Sequence, residues 1–433
     1  MIRHPVLDQL SAFGVKMGLG RVKALLSYLG DPQLQYPVVH IAGTNGKGST
    51  SMMVTSALMA AGYRVGTNLS PHLEQVNERV RIDAAPIADT ALVMAIGSLD
   101  RVRMDWARSM NLSEAPLTYF EFITVLALRT FAESAVDVAV IETGMGGRLD
   151  ATNVVSPVVT AITTVGLDHQ DVLGATLPEI ASEKAGSIKR GAAVISGVLP
   201  PEARDVVEAR AMVLGAELWR PGPQLRKEWR RKQWSVSTPV GSVSGIDLPL
   251  RGEHMGHNAM VAIGILHQLR KLGFHLPDDA IKAGLEAVDL AGRIEQLAPG
   301  LVADGAHNED GAKALAVWLQ SQPRPERRIL LLGMGAGRDP LPVVKQLEPF
   351  VDEIVTTRCA HPKAADPMDL AMRLQDHVDS VLAAGTDIDR DLAEVYAEAD
   401  QTIVAGSLYL AGAARSLVRS GVLDGIVPGS AEE

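Results

Sequence analysis

Residues Val38 to Thr50 read Val-Val-His-Ile-Ala-Gly-Thr-Asn-Gly-Lys-Gly-Ser-Thr. An apolar run enters a glycine-rich turn. A lysine and two hydroxyl residues follow, and then Met52, Met53, Ala57, Leu58 and Ala61 recur at helical spacing. A strand, a glycine-rich turn and a helix start make an anion site. The N–H groups of Gly43, Thr44, Asn45, Gly46 and Gly48, with those of the first helical turn, have no helical partner and converge on one place. Glycine lets a phosphate reach the backbone. Lys47 would neutralise terminal phosphate charge, and Ser49 or Thr50 could reach a Mg²⁺ that travels with it. The spacing departs from the common phosphate loop, G-x-x-x-x-G-K-[ST]. Ile41 stands at its first glycine and Gly48 at its hydroxyl. The loop here is the shorter G-x-x-G-K-G-S-T.

Further polar groups also follow apolar runs. The run from Val136 to Ile141 leads into Glu142, and the run from Val158 to Thr164 leads to Asp168-His169. Near-continuous apolar runs predict parallel strands covered on both faces. Ligands in such open sheets bind beyond the carboxyl ends of the strands. Three strand ends thus deliver phosphate-binding, carboxylate and imidazole groups to one rim.

The positioning elements follow the same alternation. Helices are expected over Arg21 to Leu29, Thr90 to Asn111, Pro116 to Glu133 and Leu177 to Lys189. Short strands are expected at Gly62 to Asn68 and Ala192 to Gly197, with a polar loop from Ser70 to Ile82. Strands alternating with helices imply an open α/β sheet. Residues 217–250 change character: Arg226-Lys227-Glu228-Trp229-Arg230-Arg231-Lys232-Gln233-Trp234 is basic with interleaved tryptophan. A twisted hairpin with one solvated face is preferred there over a nucleic-acid surface. Helices are expected at Met255 to Leu272 and Pro277 to Val288. A smaller α/β unit then begins near Ala298-Pro299-Gly300, with strands at 301–303, 328–332, 353–357 and 402–405.

The chain has 433 residues, a net charge of −10 and one cysteine, Cys359. The length allows two or three domains. The negative charge argues against nucleic acid as the main partner. The single cysteine excludes an internal disulfide and suits a reducing cytoplasm. No apolar run approaches the ~18 residues of a membrane span.

In order along the chain, several further motifs join the phosphate loop. They are Ser70-Pro71-His72-Leu73, Asn77-Glu78-Arg79-Val80, Leu117-Thr118-Tyr119-Phe120-Glu121, Glu142 through Asn153, Asp168-His169, Glu183-Lys184-Ala185-Gly186, Gly292-Arg293 and Asp304-Gly305-Ala306-His307-Asn308. Together they resemble the folylpolyglutamate synthase/dihydrofolate synthase family within the Mur-type amide ligases, over nearly the whole chain. The resemblance implies an N-terminal P-loop ATPase domain of Mur-ligase central type at 1–296 and a smaller C-terminal Rossmann-like α/β domain at 297–433. It implies ATP-dependent joining of L-glutamate to dihydropteroate, or to the glutamates of a folate, through an acyl phosphate. The active site would lie between the domains.

The resemblance also implies roles. Lys47 and the loop would hold the phosphates. Asn258 would read adenine, and Arg293, Asp304 and His307 would contact the nucleotide. Two Mg²⁺ are implied, one on Ser49 and Glu142, the other on Glu142 and His169 with Ser70 as a further ligand. His is an unusual Mg²⁺ ligand. Lys184 matches a carbamylated lysine, which could ligate the second metal. Thr118, Phe120, Arg148, Asp150 and Ala151 match a pterin pocket, with Phe120 stacking on the ring and Asp150 accepting from its amino group. Arg79 falls in a folate-contacting loop. Arg338-Asp339 stands where many members have Lys-Asp. ATP is a substrate, and the chain is expected to be a cytoplasmic monomer.

Two other readings compete. A UDP-peptide cell-wall ligase usually carries a further N-terminal domain, and only 42 residues precede Gly43. A regulatory P-loop ATPase would hydrolyse ATP without an acceptor.

Overall fold

The structure is a computed structural model that describes residues 4–429 apart from 12, 13, 15, 113–116, 250, 251 and 360. The chain forms two compact units. The first runs to Pro71 and includes Gln75–Pro249 and His254–Asp289. Its strands are β1 (Val38–Ala42), β2 (Val65–Asn68), β3 (Val80–Ile82), β4 (Ala85–Pro86), β5 (Val138–Glu142), β6 (Val159–Ile162), β7 (Ala193–Ser196), β8 (Glu217–Trp219), β9 (Arg226–Arg230), β10 (Gln233–Thr238) and β11 (Gly241–Ile246). Eight of them make one sheet, in the order β4-β3-β2-β5-β1-β6-β7-β8. The run from β2 to β8 is parallel, and β3 and β4 are antiparallel at one edge.

Burial explains the sequence of the centre. Every residue of β1 and β5 is buried, so both strands must be apolar except where a polar group finds a partner. The register sets Ile41 beside Glu142 and Ala42 beside Ile162. The turn after β1, the carboxylate ending β5 and the residues after β6 therefore reach the same rim. The helix Lys47–Ala60 packs closely on Asp278–Glu286. At the crossing a Cβ on Gly284 would fall on the backbone of Ser56 and Ala57.

Three expectations need correction. The stretch 80–82 is a strand, β3, rather than loop, because Val80 fills the core beside β2. Residues 217–219 are the eighth strand of the main sheet, not hairpin, because they pair with β7. The hairpin proper is the three-stranded sheet β11-β10-β9. It buries Trp234, Val236, Val243 and Ile246 and leaves β9 mostly exposed. The expected helix start at Pro116 and the end of the hairpin region at 250 lie outside the described residues.

The second unit comprises His72–Glu74, a short stretch ending at Glu253, and the chain from Leu290. Its strands are β12 (Glu295–Ala298), β13 (Leu301–Ala303), β14 (Arg328–Leu332), β15 (Glu353–Thr356), β16 (Val381–Ala383) and β17 (Gln401–Ala405), in the order β12-β13-β17-β14-β15-β16. All neighbours are parallel except β12 and β13. Separate apolar clusters cover its faces, and Cys359 is buried in one of them. The boundary lies at 289/290 rather than 296/297, because β12 pairs with β13 and belongs to this sheet. The segment His72–Glu74 is held within this unit by Glu74. Its Oε1 accepts from Arg415 at 3.1 Å and its Oε2 from Ser416 at 2.7 Å. No helix among the described residues is long and apolar enough to cross a membrane.

Candidate active site

The phosphate loop is shaped by residues outside it. Gly46 precedes the helix Lys47–Ala60 with φ 81° and supplies no side-chain cap. The first-turn N–H groups are thereby left without a side-chain acceptor from that position. A Cβ at Gly46 would fall on Oδ1 of Asn258, so this buried asparagine of the helix Glu253–Lys271 lies against the loop. Two threonines after β6 grip the turn. Thr164 Oγ1 accepts from the Asn45 N–H at 2.8 Å, and Thr163 Oγ1 donates to the Asn45 carbonyl at 2.6 Å. Thr44 Oγ1 accepts from the Gly166 N–H at 3.0 Å. Lys47 Nζ donates to the Thr44 carbonyl at 3.1 Å, and Ser49 and Thr50 are buried in the first helical turn.

Glu142 is buried at the end of β5, and its Oε2 accepts from the Ser70 N–H at 3.1 Å. Gly48 lies opposite: a Cβ there would be 3.6 Å from Glu142 Oε2. Lys184, on Leu177–Ala185, is 3% exposed. Burial pushes its ammonium down to about 7, and the charge of Lys47 pushes the same way, against Asp168 and Asp150. His169 is placed differently. It starts the helix Gln170–Leu173 with φ 51°, and its Nε2 is 3.9 Å from Asp168 Oδ1 with the ring 43% exposed. Among the described residues no three His, Cys, Asp or Glu side chains gather as a metal cluster. That donor set fits Mg²⁺ held by one or two protein oxygens, with phosphate and water completing the shell. It does not make a cage that binds a metal without the nucleotide.

The residues expected around a pterin fall into two groups. Phe120 packs against Gly144, where a Cβ would fall on the Cζ end of its ring. Thr118 caps the helix Tyr119–Glu133, and its Oγ1 accepts from Glu121 N–H at 3.3 Å. Ala151 and Asp150 are buried. Arg79 is buried too, its guanidinium carbon 5.5 Å over the Tyr119 ring, so it is not a solvated charge. Arg148 is the exception. Its guanidinium is exposed and donates to Glu183 Oε1 at 2.8 Å. Arg148 N–H also donates to the Glu183 carbonyl, which fixes the residue on that helix.

In the second unit Asp304 is buried and holds its own turn. Its Oδ2 accepts from Ile294 N–H at 2.8 Å and its Oδ1 from Ala306 N–H at 2.7 Å. Gly305 lies against Arg293, whose Nη1 would meet a Cβ there. His307 Nδ1 pairs with the Gly305 carbonyl at 2.8 Å, and Arg338 Nη1 donates to the His307 carbonyl at 3.3 Å. Arg293 and Arg338 therefore border the turn that carries Asp304 and His307.

Sequence reasoning missed several supporting residues. Thr163 and Thr164 act only once β6 is in register with β1. Glu121 completes a T-x-x-E capping box with Thr118, a pattern visible in the sequence. It also takes a fork from Arg21, with Nη2 to Oε1 at 2.7 Å, which no local pattern announces.

With this geometry in hand, comparison with known proteins is informative. The Mur ligase middle domain family matches residues 41–266, and the dihydrofolate synthetase C-terminal domain family matches residues 287–417. The dihydrofolate synthase/folylpolyglutamate synthase of Mycobacterium tuberculosis is 34% identical, over 92% of this chain and 89% of that protein. A solved structure of Escherichia coli FolC in complex with DHPP and ADP is similar at TM-score 0.85 and 29% identity, covering 96% of this chain and 97% of that one. The bifunctional enzyme of Yersinia pestis, solved with AMPPNP and Mn ion, has TM-score 0.83 and 30% identity, covering 96% of each chain.

Proposed function

The chain belongs to the dihydrofolate synthase/folylpolyglutamate synthase family of ATP-dependent ligases of folate metabolism, and from that premise we propose how its residues do the work. A carboxylate acylates poorly because oxide would have to leave. Moving the γ-phosphoryl of ATP onto it forms an O–P bond as the bond to ADP breaks, and phosphate becomes the leaving group. The amine of L-glutamate then attacks: the C–N bond forms, the C–O bond to phosphate breaks, and the ammonium proton is released. Every reactant is an anion, so cations and N–H donors are what the site must supply.

Lys47 and the N–H groups at the start of its helix hold the β- and γ-phosphates, the Thr44 and Asn45 N–H groups being taken by Thr164, and Asn258 flanks the loop. Arg293, Asp304 and His307 are the second unit's nucleotide residues. Ser49 and Glu142 hold Mg²⁺, which supplies charge neutralisation for phosphoryl transfer. Ser70 and His169 are the further ligands proposed for a second ion. Arg79, Thr118, Phe120, Asp150 and Ala151 receive the pterin acid, dihydropteroate in the first reaction and a reduced folate in the second. The DHPP, ADP, AMPPNP and Mn ion of the two solved relatives support these ligand classes.

One observation carries the reading. Lys47, Glu142 and Lys184 hang on strand ends and a helix around one rim, with Lys184 close enough to Lys47 for repulsion to lower its pKa. Lys184 fits carbamylation, in which a neutral amine takes up CO₂ and becomes an anion. A pKa of about 7 leaves much of the amine neutral at neutral pH. Incubation with dihydropteroate, L-glutamate and Mg-ATP, with the product weighed, tests the activity. A ligase gives dihydrofolate and little ATP turnover without the acid, whereas acceptor-independent hydrolysis refutes the assignment. Carbon NMR of protein equilibrated with ¹³C-bicarbonate tests the carbamate at Lys184, with Lys184→Arg as the blank.

A further inference from the structure

β1 is buried throughout, yet it carries an imidazole, His40, with no exposed surface. A buried imidazole is tolerated when its N–H is bonded. His40 Nε2 is 2.8 Å from Thr152 Oγ1. That hydroxyl is 2.5 Å from Asp150 Oδ1, and the same oxygen also accepts the Thr152 N–H at 3.0 Å. Asp150 Oδ2 accepts the Met145 N–H at 2.8 Å. Burial pushes the Asp150 carboxyl up, and the donors from Thr152 and Met145 oppose it; with N–H groups facing both oxygens, Asp150 acts here as an acceptor on both. Thr152 has one proton and gives it to Asp150. His40 must then donate from Nε2, which fixes its tautomer. Its Nδ1 is left as a bare acceptor with no partner among the described residues.

Gly144 packs against the end of the Phe120 ring, and the Gly144–Met145 peptide gives its N–H to Asp150, so the carboxylate holds the backbone against which that ring rests. Next in the chain, Asn153 Nδ2 donates to the Arg148 carbonyl at 2.9 Å and to the Gly186 carbonyl at 3.2 Å, tying the segment to the end of the Lys184 helix. His40 contributes the side-chain link from this segment back to the phosphate-loop strand.

We propose that His40 is a positioning residue for the pterin-acid subsite, acting through the Thr152 hydroxyl on the Asp150 carboxylate and the turn it holds. The proposal rests on the reading that Asp150 and Phe120 receive the pterin acid. His40 touches no reactant. It determines where Thr152 aims its proton, and so whether Asp150 keeps Gly144 and Phe120 in place.

The test uses the full-length enzyme and separate KM values for dihydropteroate and ATP. His40→Met fills the volume without a donor. His40→Gln returns an N–H near the Nε2 position. Thr152→Val removes the middle of the relay, with Thr152→Ser as the milder partner should valine fold poorly. Expected for His40→Met is a rise of up to about tenfold in the dihydropteroate KM, the upper scale of one neutral hydrogen bond, with the ATP KM within about twofold. His40→Gln should recover most of it. The double variant His40→Met/Thr152→Val should be no worse than Thr152→Val alone, because the effect runs through one hydroxyl. A His40→Met enzyme that melts earlier but keeps both KM values overturns the proposal, as does an equal rise in both or an additive double variant. Asp150→Asn separates the two layers. If it raises the dihydropteroate KM while the His40 variants are silent, only the relay fails. If it is silent too, the pterin-acid reading of Asp150 fails with it.

Discussion

Two turns in this molecule leave a buried parallel strand and enter a helix: residues 43–47 after β1 and residues 304–308 after β13. They solve opposite problems. The second satisfies itself. Asp304 takes the N–H groups of Ile294 and Ala306, and Asn308 caps its helix by accepting the Gly311 N–H at 2.9 Å. The first does not. Gly46 has no side chain to cap with, and the turn is steadied instead by two threonines just after β6, which bond the N–H and the carbonyl of Asn45. A turn that must offer its N–H groups to an anion cannot spend them on its own side chains, so its rigidity is supplied from outside.

Predictions that probe this contrast can be ordered by size. Lys47→Met should lower kcat by about a hundredfold to a thousandfold, the cost of removing one electrostatic donor from a transition state. Arg338→Met, beside the self-satisfied turn, should lower kcat less; steady-state kinetics on both variants compares them.

Acid should strain the first unit next. Burial pushes His40 down to about 3 and His267 down to about 4. Unfolded, both titrate near the ordinary histidine value of about 6.5. As pH falls below that value the unfolded chain takes up protons that the folded chain refuses. Stability is therefore full above about 6.5 and declines by about 1.4 kcal/mol per pH unit for each buried histidine, until the folded pKa is reached. Denaturant titrations between pH 7 and 4 should show the slope reduced by one proton in His40→Gln. An unchanged slope would mean that His40 is already charged or already exposed.

Thr164→Val should raise the ATP KM by about tenfold, because the Asn45 N–H loses its acceptor, with little change for dihydropteroate. This is the reverse of the split expected for His40→Met. The smallest effect belongs to the second turn: Asn308→Ala should cost about 1 kcal/mol of stability, the usual worth of a cap, and leave kcat unchanged. A kcat loss there comparable to that of Lys47→Met would erase the distinction between the turns.

What could be read from the sequence follows the same division. Lys47 and Glu142 are legible because each comes directly after an apolar run, and the run marks the strand whose end they occupy. The expected strand at 328–332 matches β14, since a long apolar stretch reports burial by itself. β3 was hidden because three residues with Arg81 in the middle carry little pattern, and because its pairing with β2 is decided by the fold. β8 and β12 are short edge strands for which the same holds. Thr163, Thr164, Thr152 and His40 gain meaning only from register. The pairing of Arg148 with Glu183 was also hidden, because it joins residues 35 apart in the chain. The burial of Lys184 was likewise invisible, since its helix has polar and apolar residues in equal measure.

Cys359 offers an experimental handle of a different kind. It is the sole thiol of the chain, 3% exposed, and burial pushes its pKa up. A maleimide or disulfide reagent can reach it only when the surrounding cluster parts, so the labelling rate counts those partings directly. Read with and without nucleotide, that one rate would report how far ligands tighten the C-terminal half, with no engineered probe.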